Sequence, residues 1–231
     1  MGSRRGIDPP NDFPAYRSTA LRAPKLPPRP LPGRLAEVRG PLLQGITIDP
    51  RESDLTGRHG GEPIGERITI SGRVQDEHGA PLAGALVEIW QANAAGRYAH
   101  DVDQHPAPLD PNFSGAGRCL TDGDGSYRFT TIKPGAYPWR NHPNAWRPAH
   151  VHFSVVARSF EQRLVTQMYF PGDPLLALDP VFNSVPDPEV RKRLIARWSL
   201  ELTQPEWSLG YEWNIVMSGL EATPAHEAGD R

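Results

Sequence analysis

The chain predicts an all-β protein: a β-sandwich core with an extended proline-rich N-terminal arm, long loops and one short helix. Three observations carry that expectation. Short runs alternate apolar and polar residues through the middle of the chain. Gly- and Pro-bearing turns separate them. Twenty-six prolines and 22 glycines among 231 residues leave little room for long helices.

Taken in order, residues 1–62 show little periodicity and are expected to form an arm, with residues 63–231 as the folded domain. Five prolines between Pro24 and Pro32 remove backbone donors and fix φ, so this stretch should run near polyproline II. Tyr16, Leu21, Leu26 and Leu31 offer apolar anchors, which favours an arm lying on a neighbouring chain over a disordered tail. From Arg67 the pattern changes: Ile68, Ile70, Gly72 and Val74 alternate with polar residues as in a half-buried strand. The turn Asp76-Glu77-His78-Gly79 follows, and residues 85–90 read as the partner strand. Residues 126–132, 151–156, 164–170 and 211–217 read as further strands, punctuated by turns at 122–125 and 134–135. The one helix begins with Asp187 as N-cap and Pro188 at its first position, and places Val190, Leu194 and Trp198 on one face.

Composition excludes several function classes. A net charge of −2 with mixed signs gives no electrostatic case for nucleic acid or an anionic membrane. Cys119 is the single cysteine, so no internal disulfide framework is possible and a reducing cytoplasm is the expected compartment. Met-Gly-Ser-Arg-Arg-Gly leads into no apolar stretch, and 18 apolar residues never run together, so neither a secretory signal nor a membrane span is expected.

The chemistry concentrates in Arg147-Pro-Ala-His150-Val-His152-Phe153. Alternate residues of a strand share a face, so His150 and His152 can offer two imidazole nitrogens to one metal. The proline ahead of the strand and the adjacent arginine suggest a polar edge near a cleft mouth. Such a pair alone is a weak signal, because sheet histidines are also satisfied by hydrogen bonds. Two tyrosines strengthen it. Tyr98 follows a strand that breaks into a Gly-bearing loop, and Tyr137 lies in a rigid loop between Pro134 and Pro138. Phenolate is a hard anionic oxygen, so two imidazoles and two phenolates suit a hard trivalent ion, non-haem Fe(III). Two phenolates leave Fe(III) one positive charge, which a bound hydroxide neutralises. Rival sites fit less well. The first acid after His152 is Glu161 and the only later histidine is His226, against a cupin-type set; Val151 stands where a His-x-Asp/Glu facial triad needs its acid. Asp122-Gly-Asp124-Gly-Ser126 opens like a calcium loop, but its sixth position is Tyr127 and its twelfth Lys133, so it reads as a turn.

These strings, with Ile64–Ile68, Trp90-Gln-Ala-Asn93, Ala107–Phe113, Gly117–Asp122, Thr131–Gly135 and Tyr137–Asn141, resemble the intradiol ring-cleaving dioxygenases. Within that family the chain is similar to the iron-bearing β chains that act on protocatechuate (3,4-dihydroxybenzoate). The resemblance implies a β-sandwich, Fe(III) held by Tyr98, Tyr137, His150 and His152, and a partner α chain of similar fold that lacks the ligands. It implies O₂-dependent cleavage of protocatechuate to 3-carboxy-cis,cis-muconate in the β-ketoadipate pathway, the substrate binding as a dianion and displacing Tyr137 and hydroxide. Arg147 and Gln167 would face the reacting ring, Trp139 and Val181 would line the substrate pocket, and Tyr16 would lie near the substrate carboxylate. Trp90 is expected to buttress the iron site. Ala136 stands where proline is expected, and the C-terminal third matches weakly. His59, His78, His100, His105 and His142 receive no role. Two other functions stay open. A catechol or hydroxyquinol 1,2-dioxygenase would carry a helical N-terminal domain that this proline-rich segment does not suggest. A non-catalytic β-sandwich binding module would have no use for all four ligands.

Overall fold

In the computed structural model, residues 6–26, 47–140, 146–157 and 163–226 are described. Of the expected polyproline run from Pro24 to Pro32, the part from Pro27 onward, with its anchor Leu31, lies outside them. The strands are β1 (Arg67–Gln75), β2 (Leu86–Trp90), β3 (Ala116–Leu120), β4 (Ser126–Ile132), β5 (Tyr137–Pro138), β6 (Trp146–Arg147), β7 (His150–Val156), β8 (Leu164–Tyr169), β9 (Arg197–Trp198), β10 (Leu209–Glu212) and β11 (Ile215–Val216). In the first sheet β4 pairs antiparallel with β1, β10 and β11 run parallel to β1, and β9 flanks β10. The second sheet has the order β3-β2-β7-β8 and is antiparallel throughout. A ribbon of β5 and β6 stands apart.

The period-2 pattern explains the sandwich. Ile68, Ile70, Val74 and Phe129 of the first sheet join Val87, Ile89, Val151, Phe153 and Val155 of the second in one core cluster. Phe129 and Phe153 meet edge to face, with centroids 6.4 Å apart. Each such side chain contributes about 1.5–3 kcal/mol of burial. Leu55 also belongs to this core, so residues N-terminal to position 63 are part of the packed body. A second cluster of Ile7, Tyr169, Phe182, Val185, Val190, Leu194 and Ala222 covers one end of the second sheet's outer side.

Two local expectations are corrected. β1 does not pair with β2, which belongs to the other sheet. The turn after β1 forms, with Asp76 Oδ1 accepting from His78 N and Ala80 N. The turn closes in the Gln75–Pro81 bridge, where Asp76 N donates to the Ala80 carbonyl and Leu82 N to the Val74 carbonyl, and the chain then crosses to the second sheet. The helix capped by Asp187 starts as expected, but its α-helical part is only Pro188–Arg191, followed by a 3₁₀ turn at Lys192–Leu194. Trp198 instead lies in β9 opposite Tyr211, because sheet pairing outweighs the helical period here. Helical turns also occur at Thr19–Arg22 and Pro180–Asn183. Among the described residues no helix is long and apolar enough to cross a membrane.

Candidate metal centre

On β7, Val151, Phe153 and Val155 enter the core, which sends His150 and His152 to the opposite face of the second sheet. Register completes that face. His150 lies opposite Tyr169, and His152 lies between Trp90 on β2 and Gln167 on β8. The Trp90 indole stacks on the His152 ring at 4.9 Å with planes 7° apart.

Two loops bring the tyrosines over this face. After β2, Asn93 Oδ1 accepts from Ala95 N and Arg97 N and bends the chain, and Asp103 Oδ2 accepts from Tyr98 N. Gly96 has φ +77°, and a Cβ there would stand 2.3 Å from the Ala136 carbonyl oxygen. Only glycine permits this approach, which sets the Tyr98 loop against the Tyr137 loop. In the β5–β6 ribbon Tyr137 lies opposite Arg147.

The four expected ligands converge. Tyr98 Oη is 3.1 Å from His152 Nε2, and Tyr137 Oη is 3.3 Å from His150 Nε2. The two imidazole centroids are 4.9 Å apart and the two phenol centroids 5.5 Å. His150 Nδ1 donates to the Pro148 carbonyl at 2.7 Å, so its Nε2 turns a lone pair inward. Burial first, then the Arg147 charge, pushes His150 well below the usual imidazole range; burial and the neighbouring His150 do the same for His152. Burial thus favours the neutral imidazole in both, the form that ligation requires. Donors about 2.1 Å from one ion stand roughly 3–3.5 Å apart. The Oη–Nε2 spacings match. Among the described residues no group of three or more His, Cys, Asp or Glu could hold a metal, so phenol oxygens are needed to complete a donor set here. The residues fit Fe(III).

Arg147 departs from expectation. It is fully buried rather than at a polar edge, because Asp179, also fully buried, receives it. Nε lies 3.1 Å from Asp179 Oδ1 and Nη2 2.9 Å from Oδ2. Nη2 also donates to Gln167 Oε1 at 2.7 Å and to Tyr169 Oη at 3.0 Å. Nη1 faces His150 Nε2 at 3.2 Å and Tyr137 Oη at 3.4 Å. Burial opposes the Asp179 charge, yet Arg147 holds its carboxyl below the ordinary range. Trp139 lies under the Arg147 guanidinium at 5.2 Å and meets Tyr16 edge-on at 4.9 Å. Val181 is buried in the Pro180–Asn183 turn that Asp179 caps through Phe182 N.

Asp179 and Tyr169 were not singled out from the sequence. A signal for Asp179 exists. Asp49, Asp173, Asp179 and Asp187 each precede a proline and each caps a helical turn. Among these four, Asp179 is the fully buried one. No linear signal marks Tyr169, whose position follows from register against His150.

A family model described as "Dioxygenase" matches residues 38–219, and one described as "Protocatechuate 3,4-dioxygenase beta subunit N terminal" matches residues 4–34. The chain belongs to the intradiol ring-cleaving dioxygenases, a class of oxidoreductases. Within that family it is similar to the protocatechuate 3,4-dioxygenase beta chain of Burkholderia cepacia, with 58% identity over 91% of this chain and 90% of that one. Hydroxyquinol 1,2-dioxygenase of Rhizobium sp. (strain MTP-10005) is 35% identical, over 64% of this chain but only 50% of its own length. The solved 3-chlorocatechol 1,2-dioxygenase from Rhodococcus opacus 1CP superposes with a TM-score of 0.55 at 26% identity, over 80% of this chain and 75% of that one.

Proposed function

We propose that this chain is the iron-bearing subunit of an enzyme that cleaves protocatechuate with O₂ to 3-carboxy-cis,cis-muconate, a step of aromatic catabolism by the β-ketoadipate route. The observation that carries the reading is the convergence of Tyr98, Tyr137, His150 and His152 on the outer face of the second sheet. Fe(III) held by these four would bind the catechol oxygens and withdraw electron density from the ring for attack by O₂. Tyr137, one of the four that would hold the ion, would take one catechol proton at Oη if the substrate displaced it. Arg147 Nη1, 3.4 Å from that oxygen, stabilises the phenolate and the charge that develops on the ring. Gln167 lies beside it on the same face and braces Arg147 through Oε1. Trp139 and Val181 wall the pocket, and Tyr16, packed on Trp139, meets the substrate carboxylate. The buried face around the histidines keeps bulk water from the reacting ring.

An α chain completes the enzyme in an αβ assembly, and within residues 1–62 the part ahead of Leu55, which is anchored in this chain's own core, contributes an arm that packs on a partner chain. The 58% identical relative is itself a beta chain, which supports this arrangement. The single thiol suits a reducing cytoplasm. The test is co-expression with an α-type chain in iron-replete cells. A red-brown protein should consume one O₂ per protocatechuate and prefer it over catechol and hydroxyquinol. A colourless, iron-free protein refutes the metal assignment, and a preference for catechol refutes the substrate. Limited proteolysis tests the arm, since rapid trimming of the first 40 residues in the assembly would exclude it.

A further inference from the structure

We infer that Asp179 is a positioning residue that sets the Arg147 guanidinium against Tyr137 and His150 and ties the Val181 wall of the pocket to the same carboxylate. The inference rests on the ring-cleavage reading above and names a residue that reading leaves out. Among the described residues, three polar groups hold Nε and Nη2 of the guanidinium. Asp179 engages Nε and Nη2 side-on, Gln167 Oε1 takes Nη2, and Tyr169 Oη takes Nη2 as well. Tyr169 Oη also stands 2.8 Å from Gln167 Oε1 and 3.0 Å from Asp179 Oδ2, so carboxylate, phenol and amide brace one another. With Nε and Nη2 held this way, the rigid fork aims Nη1 at the ligand atoms 3.2 and 3.4 Å away.

The same carboxylate has a second task. Asp179 Oδ2 accepts from Phe182 N at 3.3 Å and caps the turn Pro180–Asn183 that carries Val181. Proline after Asp179 pre-sets the turn, as after the other three capping aspartates, but those are not fully buried and hold no buried arginine. Asp179 thus does more than neutralise a buried charge: the direction of Nη1 and the placement of the pocket wall depend on one side chain.

The test compares wild type, D179N, D179E, R147K, Y169F and the R147K/D179N double variant in the full chain co-expressed with an α-type chain. Iron content, the visible phenolate-to-Fe(III) band, kcat and KM per bound iron, and thermal melting are read for each. The positioning role expects D179N to melt cooperatively and keep iron within about twofold, with kcat per iron down about 10- to 100-fold and the phenolate band displaced. D179E should recover part of both losses. The double variant should be no worse than R147K, because the two residues act as one unit. A D179N protein with wild-type kcat per iron and an unmoved band overturns the role, whatever its melting temperature, as does an additive double variant. Should D179N not fold, Y169F decides, since it removes only the hydroxyl brace: a displaced band with lowered kcat supports the role, and unchanged values overturn it. An inactive, iron-free wild type overturns the ring-cleavage reading, and this role with it; an active wild type beside an unaffected D179N overturns this role alone.

Discussion

The two faces of β7 are equally dry and chemically opposite. All seven residues of the strand are buried. On one face Val151, Phe153 and Val155 meet the other sheet and contribute packing. On the other, His150 and His152 meet Tyr98, Tyr137 and Arg147 through polar contacts between side chains that lie from 3 to 54 positions apart in the chain. Burial by itself therefore does not separate core from site. The difference lies in what each face would lose. The inner face would lose dispersion and apolar burial, whereas the outer face would lose donor atoms whose desolvation is tolerable only while they are paired or ligated.

Substitutions on each face should break this comparison in different currencies. The largest effect is expected from His152→Ala, or from Tyr98→Phe: bound iron is lost and ring cleavage falls by about a thousandfold or more, beyond the 10- to 100-fold typical of residues outside the ligand set. Metal analysis beside oxygen uptake reads both. One residue along, Phe153→Ala should cost about 3–5 kcal/mol in urea unfolding, while the protein that remains folded keeps its iron colour. If Phe153→Ala bleached the iron without lowering stability, the division of faces would be wrong.

A few kcal/mol of pH-dependent stability should come from His226, whose backbone N–H bonds the Val165 carbonyl at the edge of the same sheet. Burial, then the Arg147 charge, pushes it down to about 4. A neutral buried imidazole binds fewer protons than the unfolded chain between the usual value near 6.5 and about 4. Stability is therefore full above that window and falls as pH drops through it. His226→Phe should flatten the slope in unfolding titrations between pH 7 and 4; an unchanged slope would rule out the assignment. Smaller again, Tyr137→Phe should retain iron yet slow turnover about a hundredfold, since on the proposed reading Tyr137 is the ligand that substrate displaces and its oxygen takes a catechol proton. Rapid mixing with substrate separates the slowed chelation from later steps. The least effect is expected at the half-exposed pair of Arg118 and Glu52, 2.6 Å apart, where Glu52→Gln should cost less than about 1 kcal/mol and leave turnover unchanged.

Much of the site was legible because it depends on short-range pattern. The His-x-His spacing places both imidazoles on one face of any strand, and tyrosines near loop glycines and prolines are marked by their surroundings. The strand at residues 126–132 and its turn at 122–125 follow the same logic: Asp122 Oδ1 accepts from Asp124 N and Ser126 N, as an aspartate turn requires. Other features were not legible. β3, with Gly117 and Arg118 in a five-residue run, lacks the apolar alternation that announces a strand and is held by pairing with β2. Trp198 fits a helical period after Asp187 but finds its partner in β10, a contact no local window contains.

The linear chain alone determined the donor chemistry, the face shared by the two histidines, the turn positions and the sandwich class, because each depends on residue type and a spacing of a few positions. Only the tertiary structure decided that the histidines point away from the core, that β1 and β2 separate into different sheets, and that Arg147 is sunk against Asp179. The reason is physical. Which face of a strand is covered, and which carboxylate meets a buried cation 32 residues away, are settled by packing between distant segments, where desolvation outweighs any local preference.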